Sequence, residues 1–569
     1  MKVLIIGGVA GGATAAARLR RLDEEAQIVM LERSGYVSYA NCGLPYYVGG
    51  EITDRKKLTL QTPESFAGRF RVEARVRQEA LSIDRAAKQV RVRRLDDGSE
   101  YTESYDKLIL APGARPVRPP LPGIDGGRIF TLRTVEDTFA LRGFIEEQRP
   151  ARAVVVGGGF IGLEMAENLT RAGLSVTLVE RLDQVLAPLD RDMAALLHAH
   201  LRDKGVTLRL ETAVADFEDC GGGVRTLLEG GEALEADLVL LAIGVSPDTR
   251  LAEEAGLALG ARKSIAVDEQ MRTSDPDIYA VGDAVQVKNL ITGAPALLPL
   301  AGPANKQARI AADNICGRPS RFSGVQGTSV LKLFDLTAAS TGLNEAAAKA
   351  AGIAFDKVVT FSANHASYYP GAVNMTVKVL FASDTGRLLG AQIVGAEGVD
   401  KRIDVLAAAI RGGLTGPDLT ELELAYAPPY SSAKDPVNMA GYVIENLLTG
   451  TVRQFHWDQV DALPRDGSVT LLDTRTDAEY GAGHIEGTVH IPLDSLRQRL
   501  SELDPAKPVY VNCQSGLRSY IACRILSQNG FTCYNLSGGY RFYEIVKRQS
   551  ALDTAPAHPC GLPVDQKKA

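Results

Sequence analysis

The chain has 569 residues, of which 45% are hydrophobic and 23% charged, with a net charge of −6 and a pI near 5.8. At roughly 100–200 residues per domain this predicts three to five globular domains, and the acidic balance argues against a nucleic-acid or anionic-membrane binder. No run of about 18 apolar residues predicts membrane insertion. The seven cysteines are scattered, with no CxxC pair and no HExxH motif, so neither a metal site nor a secreted disulfide framework is expected, and a cytoplasmic location is.

The N-terminus, MKVLIIGGVAGGATAAA, has the outline of a signal peptide but runs into RLRRLDEE without a cleavage-type break. Strand VLIIG (3–7), turn GVAGG (8–12), a helix from Ala13 to about Leu22 and a strand ending at Glu32 account for it better. In such a βαβ unit phosphate sits on the helix N-terminus and the acid meets a ribose hydroxyl. Val9 stands where the middle glycine of GxGxxG belongs. The pattern recurs in full with strand AVVVG (153–157), Gly157, Gly159 and Gly162, a helix through Leu169, and a strand ending at Glu180. Two dinucleotides are therefore expected. An acid at Glu180 favours NADH, because it would repel a 2′-phosphate, while the adjacent Arg181 leaves NADPH open.

Between and beyond the two folds lie YDKLILAPGARP (105–116) and TSDPDIYAVGDAV (273–285). With these segments the chain resembles the FAD-dependent pyridine nucleotide–disulfide oxidoreductases over about residues 1–445. The resemblance implies FAD on Gly7, Gly8, Ala10, Gly11, Gly12, Glu32, Arg33, Pro112, Gly113, Gly282 and Asp283, the last on the flavin's ribityl chain. It implies NAD(P)H on Gly157, Gly159, Phe160, Ile161, Gly162 and Glu180. It also implies a homodimer formed through the segment that follows residue 320.

Cys42, in SYANCGLPYY, precedes a turn into a helix in which Pro45 suits the first positions; the helix N-terminus is expected to lower the thiol pKa and hold a thiolate. The residue five before it is Val37, so no internal dithiol forms and the thiol must pair with substrate or become sulfenic. NCGLPY resembles the single-cysteine branch of the family, above all its coenzyme A disulfide and persulfide reductases. Coenzyme A, as substrate or bound ligand, is then expected on Thr14, Arg18, Arg21, Ser38, Asn41, Arg71 and Lys434. Asn305 stands where that branch often has histidine. Tyr368, with Tyr369 as competitor, and Tyr426 occupy the positions from which tyrosines reach the partner's redox cysteine and act as general acids.

After TGTVRQFHWDQ (449–459) the composition changes, and VTLLDTRTDAEYGAGHIEGTVHIPL (469–493) followed by PVYVNCQSGLRSYIACRIL (508–526) resembles a rhodanese domain. Cys513 opens the loop CQSGLR, whose N–H groups, with the following helix, would stabilise a thiolate or persulfide; Gln514, Gly516 and Arg518 are expected around the sulfur. Asp473 and Arg475 are expected to brace this loop, and Cys523 and Cys533 to be core residues. The expected fold is α/β, with an FAD domain (1–115 and 243–320), an NAD(P)H domain (116–242), an α+β dimerisation domain (321–448), a rhodanese domain (453–550) and a flexible tail (551–569). The expected activity is NADH-dependent reduction of small-molecule persulfides, polysulfides and coenzyme A disulfide. NADH oxidase or peroxidase chemistry and a slow redox-sensing sulfur-delivery module are the alternatives.

Overall fold

The computed structural model describes residues 1–548; the tail, with Cys560, lies outside them. The chain forms two compact units, Met1–Asp183 with Gly205–Val325, and Gln184–Lys204 with the residues from Gln326 onward.

The first unit is built on two parallel five-stranded sheets. In one, strand Lys2–Ile6 lies between Gln27–Leu31 and Lys107–Leu110, with Val72–Arg75 and Ile278–Ala280 at the edges. In the other, Arg152–Val156 lies between Ser175–Val179 and Leu238–Leu241, flanked by Thr207–Arg209 and Ile129–Phe130. The central strands are near-continuous apolar runs because both faces are covered: Val3, Leu4, Ile5, Val154 and Val155 are buried. In each sheet the chain leaves the central strand at its C-terminal end, where the order of the connections reverses and ligands of open α/β sheets bind.

The first helix spans Ala10–Leu22, three residues earlier than the sequence suggests, and the second Phe160–Arg171, two residues longer. The early start has a simple cause. Val9 serves as N-cap with a negative φ of −99°, outside the left-handed region that favours glycine, and its carbonyl accepts the Ala13 N–H at 2.9 Å. Helix Ala301–Ile315 lies along helix Ala10–Leu22, and Arg18 pairs with Asp313 across them at 2.7 Å.

The second unit holds a five-stranded antiparallel sheet in the order Ser329–Leu333, Leu336–Gly342, Leu388–Gly395, Asn374–Ala382, Phe355–Ala363. A buried ionic cluster explains why residues 184–204 belong to it: Lys378, fully buried, pairs with Asp190, Asp192 and Glu345 at 2.6–2.9 Å. The C-terminal part of the same unit is a parallel sheet ordered Gln454–Phe455, Cys533–Leu536, Val509–Asn512, Thr470–Asp473, Val489–His490. Its entry segment is held by side chains: the Trp457 indole donates to Asp192 at 3.2 Å and Gln454 donates to the Lys357 carbonyl at 2.8 Å. The architecture is α/β as expected, with two dinucleotide folds, an α+β layer and a C-terminal parallel domain.

Candidate active site

The two glycine loops share one geometry. Gly7 and Gly157 have φ +99° and +107°. A Cβ on Gly12 would fall 1.8 Å from the Gly7 carbonyl oxygen, and one on Gly162 1.9 Å from that of Gly157, so both turns require bare backbone. Glu32 accepts the Gly8 N–H at 2.7 Å and the Ser34 N–H at 2.8 Å; Glu180 accepts those of Gly158 at 2.6 Å and Leu182 at 2.8 Å. Burial raises the Glu32 pKa against those two donors. Helices Ala10–Leu22 and Phe160–Arg171 begin without a side-chain cap, whereas helices starting after Thr62, Thr134 and Thr476 are capped by those threonines. Orphan N–H groups, a turn closed to any Cβ and a fixed acid, twenty residues beyond Gly12 and eighteen beyond Gly162, fit a dinucleotide at each loop. Ala10, Gly11, Phe160 and Ile161 lie in the first turns of these helices.

Around the first loop, Gly113 and Gly282 take the left-handed φ values +71° and +87°, and Pro112 precedes the former. Asp283 accepts from Arg133 at 2.7 Å, and the Gly282 N–H donates to buried Gln307 at 2.7 Å. Neither Arg133 nor Gln307 was anticipated, since each meets its partner only through tertiary folding. Arg33 is exposed, 3.7 Å from Asp248.

Cys42 lies in the short turn Asn41–Gly43, ahead of helix Leu44–Val48, in which Pro45 sits near the start. The expectation of a lowered thiol pKa is corrected: burial, then Glu164 and Asp283, push it up against Arg133. A five-residue helix has too small a dipole to oppose these effects. Ser38 adopts φ +48°, and its N–H is tied to the Gly8 carbonyl at 2.7 Å, which brings the Cys42 segment to the glycine loop. Thr14 donates to Asn305 at 2.8 Å. Arg18 is engaged by Asp313, Arg21 is exposed, and exposed Arg71 pairs with Glu24 at 3.1 Å.

In the second unit the hydroxyls of Tyr368 and Tyr426 are hydrogen-bonded at 2.9 Å on exposed side chains, while the Tyr369 ring packs edge-on against His365. Tyr368, rather than Tyr369, is thus the partner of Tyr426. The Cys513 side chain is fully buried, and its Sγ receives the Gly516 N–H at 3.1 Å and the Ser519 hydroxyl at 3.2 Å. Gly516, with φ +98°, is the N-cap of helix Leu517–Gln528 and aims that amide at the sulfur. Arg518 presents no free cation to substrate: both its terminal nitrogens bind Glu479, at 2.8 and 2.7 Å. Asp473 and Arg475 form the expected brace at 2.7 Å, and Arg475 also reaches Gln514 at 3.3 Å. Cys523 and Cys533 are core residues of helix and strand. Beside the loop opens a cavity of about 960 Å³ lined by Gln514, Gly516, Glu479 and Arg541 on one side and by Phe361, Tyr442 and Lys434 on the other. Lys434, expected with the Cys42 group, lies here with the sulfur loop.

The first 304 residues match the model of the pyridine nucleotide-disulphide oxidoreductases. A coenzyme A disulfide reductase of Staphylococcus haemolyticus is 36% identical over 78% of this chain and the whole of its own length. The chain belongs to the pyridine nucleotide–disulphide oxidoreductase family. Members of this family bind FAD and NAD(P)H. Residues 328–436 match the family's dimerisation domain and residues 456–544 a rhodanese-like domain. Among solved structures, this oxidoreductase is similar to Bacillus anthracis CoADR-RHD, with 46% identity, TM-score 0.94 and coverage of 97% of this chain and 99% of that one. It is similar also to an NAD-dependent persulfide reductase from A. fulgidus, with 40% identity, TM-score 0.89 and coverage of 95% and 100%. A water-forming NADH oxidase from Lactobacillus brevis, 29% identical with TM-score 0.75, covers 79% of this chain. Among the described residues no helix is long and apolar enough to cross a membrane.

Proposed function

We propose that this flavoprotein uses NADH to reduce persulfides, polysulfides and coenzyme A disulfide at Cys42, while the rhodanese-like domain handles sulfane sulfur at Cys513 and sulfide is released. The observation that carries the reading is the pairing, in one family member, of a single thiol beside the first glycine loop with a second sulfur held by the Gly516 N–H and the Ser519 hydroxyl. The NADH oxidase reading leaves the second sulfur site without a task, and the oxidase relative spans 79% of the chain against 97% for CoADR-RHD.

FAD, when bound, supplies the two-electron relay from NADH to sulfur. The first glycine loop, Glu32, Gly113, Gly282 and Asp283 would hold it, and Gly157, Gly159, Gly162 and Glu180 would hold the nicotinamide dinucleotide. The Cys42 thiolate attacks R–S–SH, giving Cys42–S–S–R and HS⁻. Uptake of two electrons then splits the mixed disulfide into the Cys42 thiolate and RS⁻. In a homodimer the Tyr368–Tyr426 pair offers a phenolic proton to the leaving thiolate. Cys513 takes a sulfane sulfur from a donor as Cys513–S–SH, its anion stabilised by the loop N–H groups. Thr14, Arg18, Arg21, Ser38, Asn41 and Arg71 would contact a coenzyme A-type substrate, and Lys434, Gln514 and Gly516 the ligand of the cavity. The same reading keeps the four-domain division at residues 115, 243, 321 and 453, and a cytoplasmic location.

The test is anaerobic NADH consumption with coenzyme A persulfide, coenzyme A disulfide, polysulfide and peroxide, in wild type, Cys42→Ser and Cys513→Ser. Loss of persulfide turnover in Cys42→Ser is expected, and its retention overturns the mechanism. Turnover of peroxide alone restores the oxidase reading. Unchanged rates in Cys513→Ser with every sulfane donor remove the rhodanese-like domain from the pathway.

A further inference from the structure

The segment around Cys42 is clasped from outside by Arg133 and the helix that follows it, Val135–Gln148. Glu136 accepts the Ser34 hydroxyl at 3.0 Å and the Gly35 N–H at 2.9 Å. The Phe139 ring meets those of Tyr36 and Tyr47 edge-on, with centroids 6.0 and 5.6 Å apart. Arg142 donates to the Val48 carbonyl at 2.9 Å. These contacts follow one another along the helix in the same order as their partners along the chain from Ser34 to Val48.

Arg133 acts in the middle of that span. In the orientation that satisfies both ends of its amide, Asn41 donates to the Arg133 carbonyl at 3.0 Å and accepts from Arg133 Nη1 at 3.2 Å. The other terminal nitrogen, Nη2, donates to Asp283 at 2.7 Å. A Cβ on Gly113 would fall 3.3 Å from the same Nη2, so the guanidinium also lies against that loop. Arg133 is itself fixed, because its N–H donates to Asp137 at 2.9 Å within the Thr134 capping box. Backbone bonds already hold the chain just before the turn: the Ser38 N–H goes to the Gly8 carbonyl and the Ala40 N–H to that of Leu58, both at 2.7 Å. At the turn Asn41–Gly43 the tie to the rest of the fold runs through the Asn41 side chain. Only a planar fork serves Asn41 and Asp283 together, which a lysine could not do.

We propose that Arg133 is a positioning residue for the nucleophile: it fastens the Asn41–Gly43 turn to Asp283 and so sets where the Cys42 sulfur stands for attack. This deepens the reading of Cys42 as the nucleophile and rests on it. The tie also keeps a cation near the thiol, where burial, Glu164 and Asp283 oppose ionisation and Arg133 favours it. The Asn41 amide retains one N–H and one lone pair, enough for a substrate contact as well.

The test is a double-mutant cycle of Arg133→Gln and Asn41→Ala in the anaerobic, dithiol-reduced holoenzyme. One readout is the pH midpoint of Cys42 alkylation by iodoacetamide, counted on the Cys42 peptide by mass spectrometry. The other is kcat with polysulfide per bound flavin, which leaves coenzyme A contacts aside. Arg133→Gln is expected to raise the midpoint by about one pH unit and to lower kcat about tenfold. Asn41→Ala moves both in the same direction, and the double variant goes no further than Arg133→Gln. Values for Arg133→Gln that match wild type overturn the proposal. Effects that multiply in the double variant overturn it too, because the two side chains then act separately. If Arg133→Gln does not fold, Arg133→Lys, which keeps the charge and loses the fork, replaces it in the kcat cycle with the same expectation. Failure of the Cys42 reading appears as turnover in Cys42→Ser, and failure of the Arg133 tie as independent or absent effects in the cycle.

Discussion

Lys378→Met is the substitution whose cost the geometry defines most closely. The Lys378 Nζ lies 2.6 Å from Glu345 Oε1, 2.7 Å from Asp192 Oδ1 and 2.9 Å from Asp190 Oδ2, with no exposure. Methionine keeps the bulk and deletes the charge. Removing one partner from a buried ionic cluster costs about 3–5 kcal/mol, because the charges left behind have lost their compensation. Glu345 supplies a second route to the magnitude. Burial pushes its carboxyl up, yet Lys378 and Lys357 hold it at about 2, below its ordinary 4.5. That difference corresponds to about 3 kcal/mol, at about 1.4 kcal/mol for each tenfold change in proton affinity. The folded-state value lies below the unfolded one, so this stabilisation is complete above pH 4.5 and lost as the pH falls through 2. The variant is therefore expected to be about 3 kcal/mol less stable at pH 7. The deficit narrows on acidification towards pH 4.5, because its uncompensated carboxyls take up protons first. Trp457 is the only tryptophan in the chain, and its indole donates to Asp192, so its emission reports on this cluster during guanidinium unfolding. An unfolding transition within about 1 kcal/mol of wild type at pH 7, or a deficit that does not respond to acid, refutes the reasoning.

Three further outcomes are expected. Gly12→Ala places a Cβ 1.8 Å from the Gly7 carbonyl oxygen, so the loop must open; purified protein should retain roughly tenfold less FAD, read as flavin absorbance per chain. Glu180→Ala frees the Gly158 and Leu182 N–H groups and removes the acid from the second loop, so the KM for NADH should rise about tenfold while that for NADPH changes little. Gly516→Ala forces a side chain onto φ +98° and displaces the N–H that reaches Cys513 Sγ, so sulfur transfer from thiosulfate should fall roughly tenfold with NADH-dependent disulfide reduction unchanged.

Both dinucleotide folds were legible because their signals are local: an apolar strand, glycines at fixed offsets, a helix, and an acid at the end of the next strand. The structure also shows why the imperfect first motif serves. The positions closed to any Cβ are Gly7 and Gly12, whereas Val9 has a negative φ and needs no glycine. What the sequence hid depends on pairing over long separations. Arg133 meets Asp283 across 150 positions, Arg518 is taken by Glu479, and Lys434 joins the cavity beside the Cys513 loop. The misjudged thiol has the same origin. The approach of Glu164 and Asp283 to Cys42 is invisible locally, and only the folded chain shows that the helix after Pro45 lasts five residues.

The uncapped starts of helices Ala10–Leu22 and Phe160–Arg171 bear on how the protein is made. Their first-turn amides have water as their only alternative partner, so a newly synthesised chain lacks part of its bonding until nucleotides arrive. A ligand that binds only the folded state at 100 times its dissociation constant adds about 2.7 kcal/mol to stability. The two dinucleotides thus count among the contacts that hold these folds together, and chain stripped of FAD is expected to unfold at lower denaturant than chain that carries it.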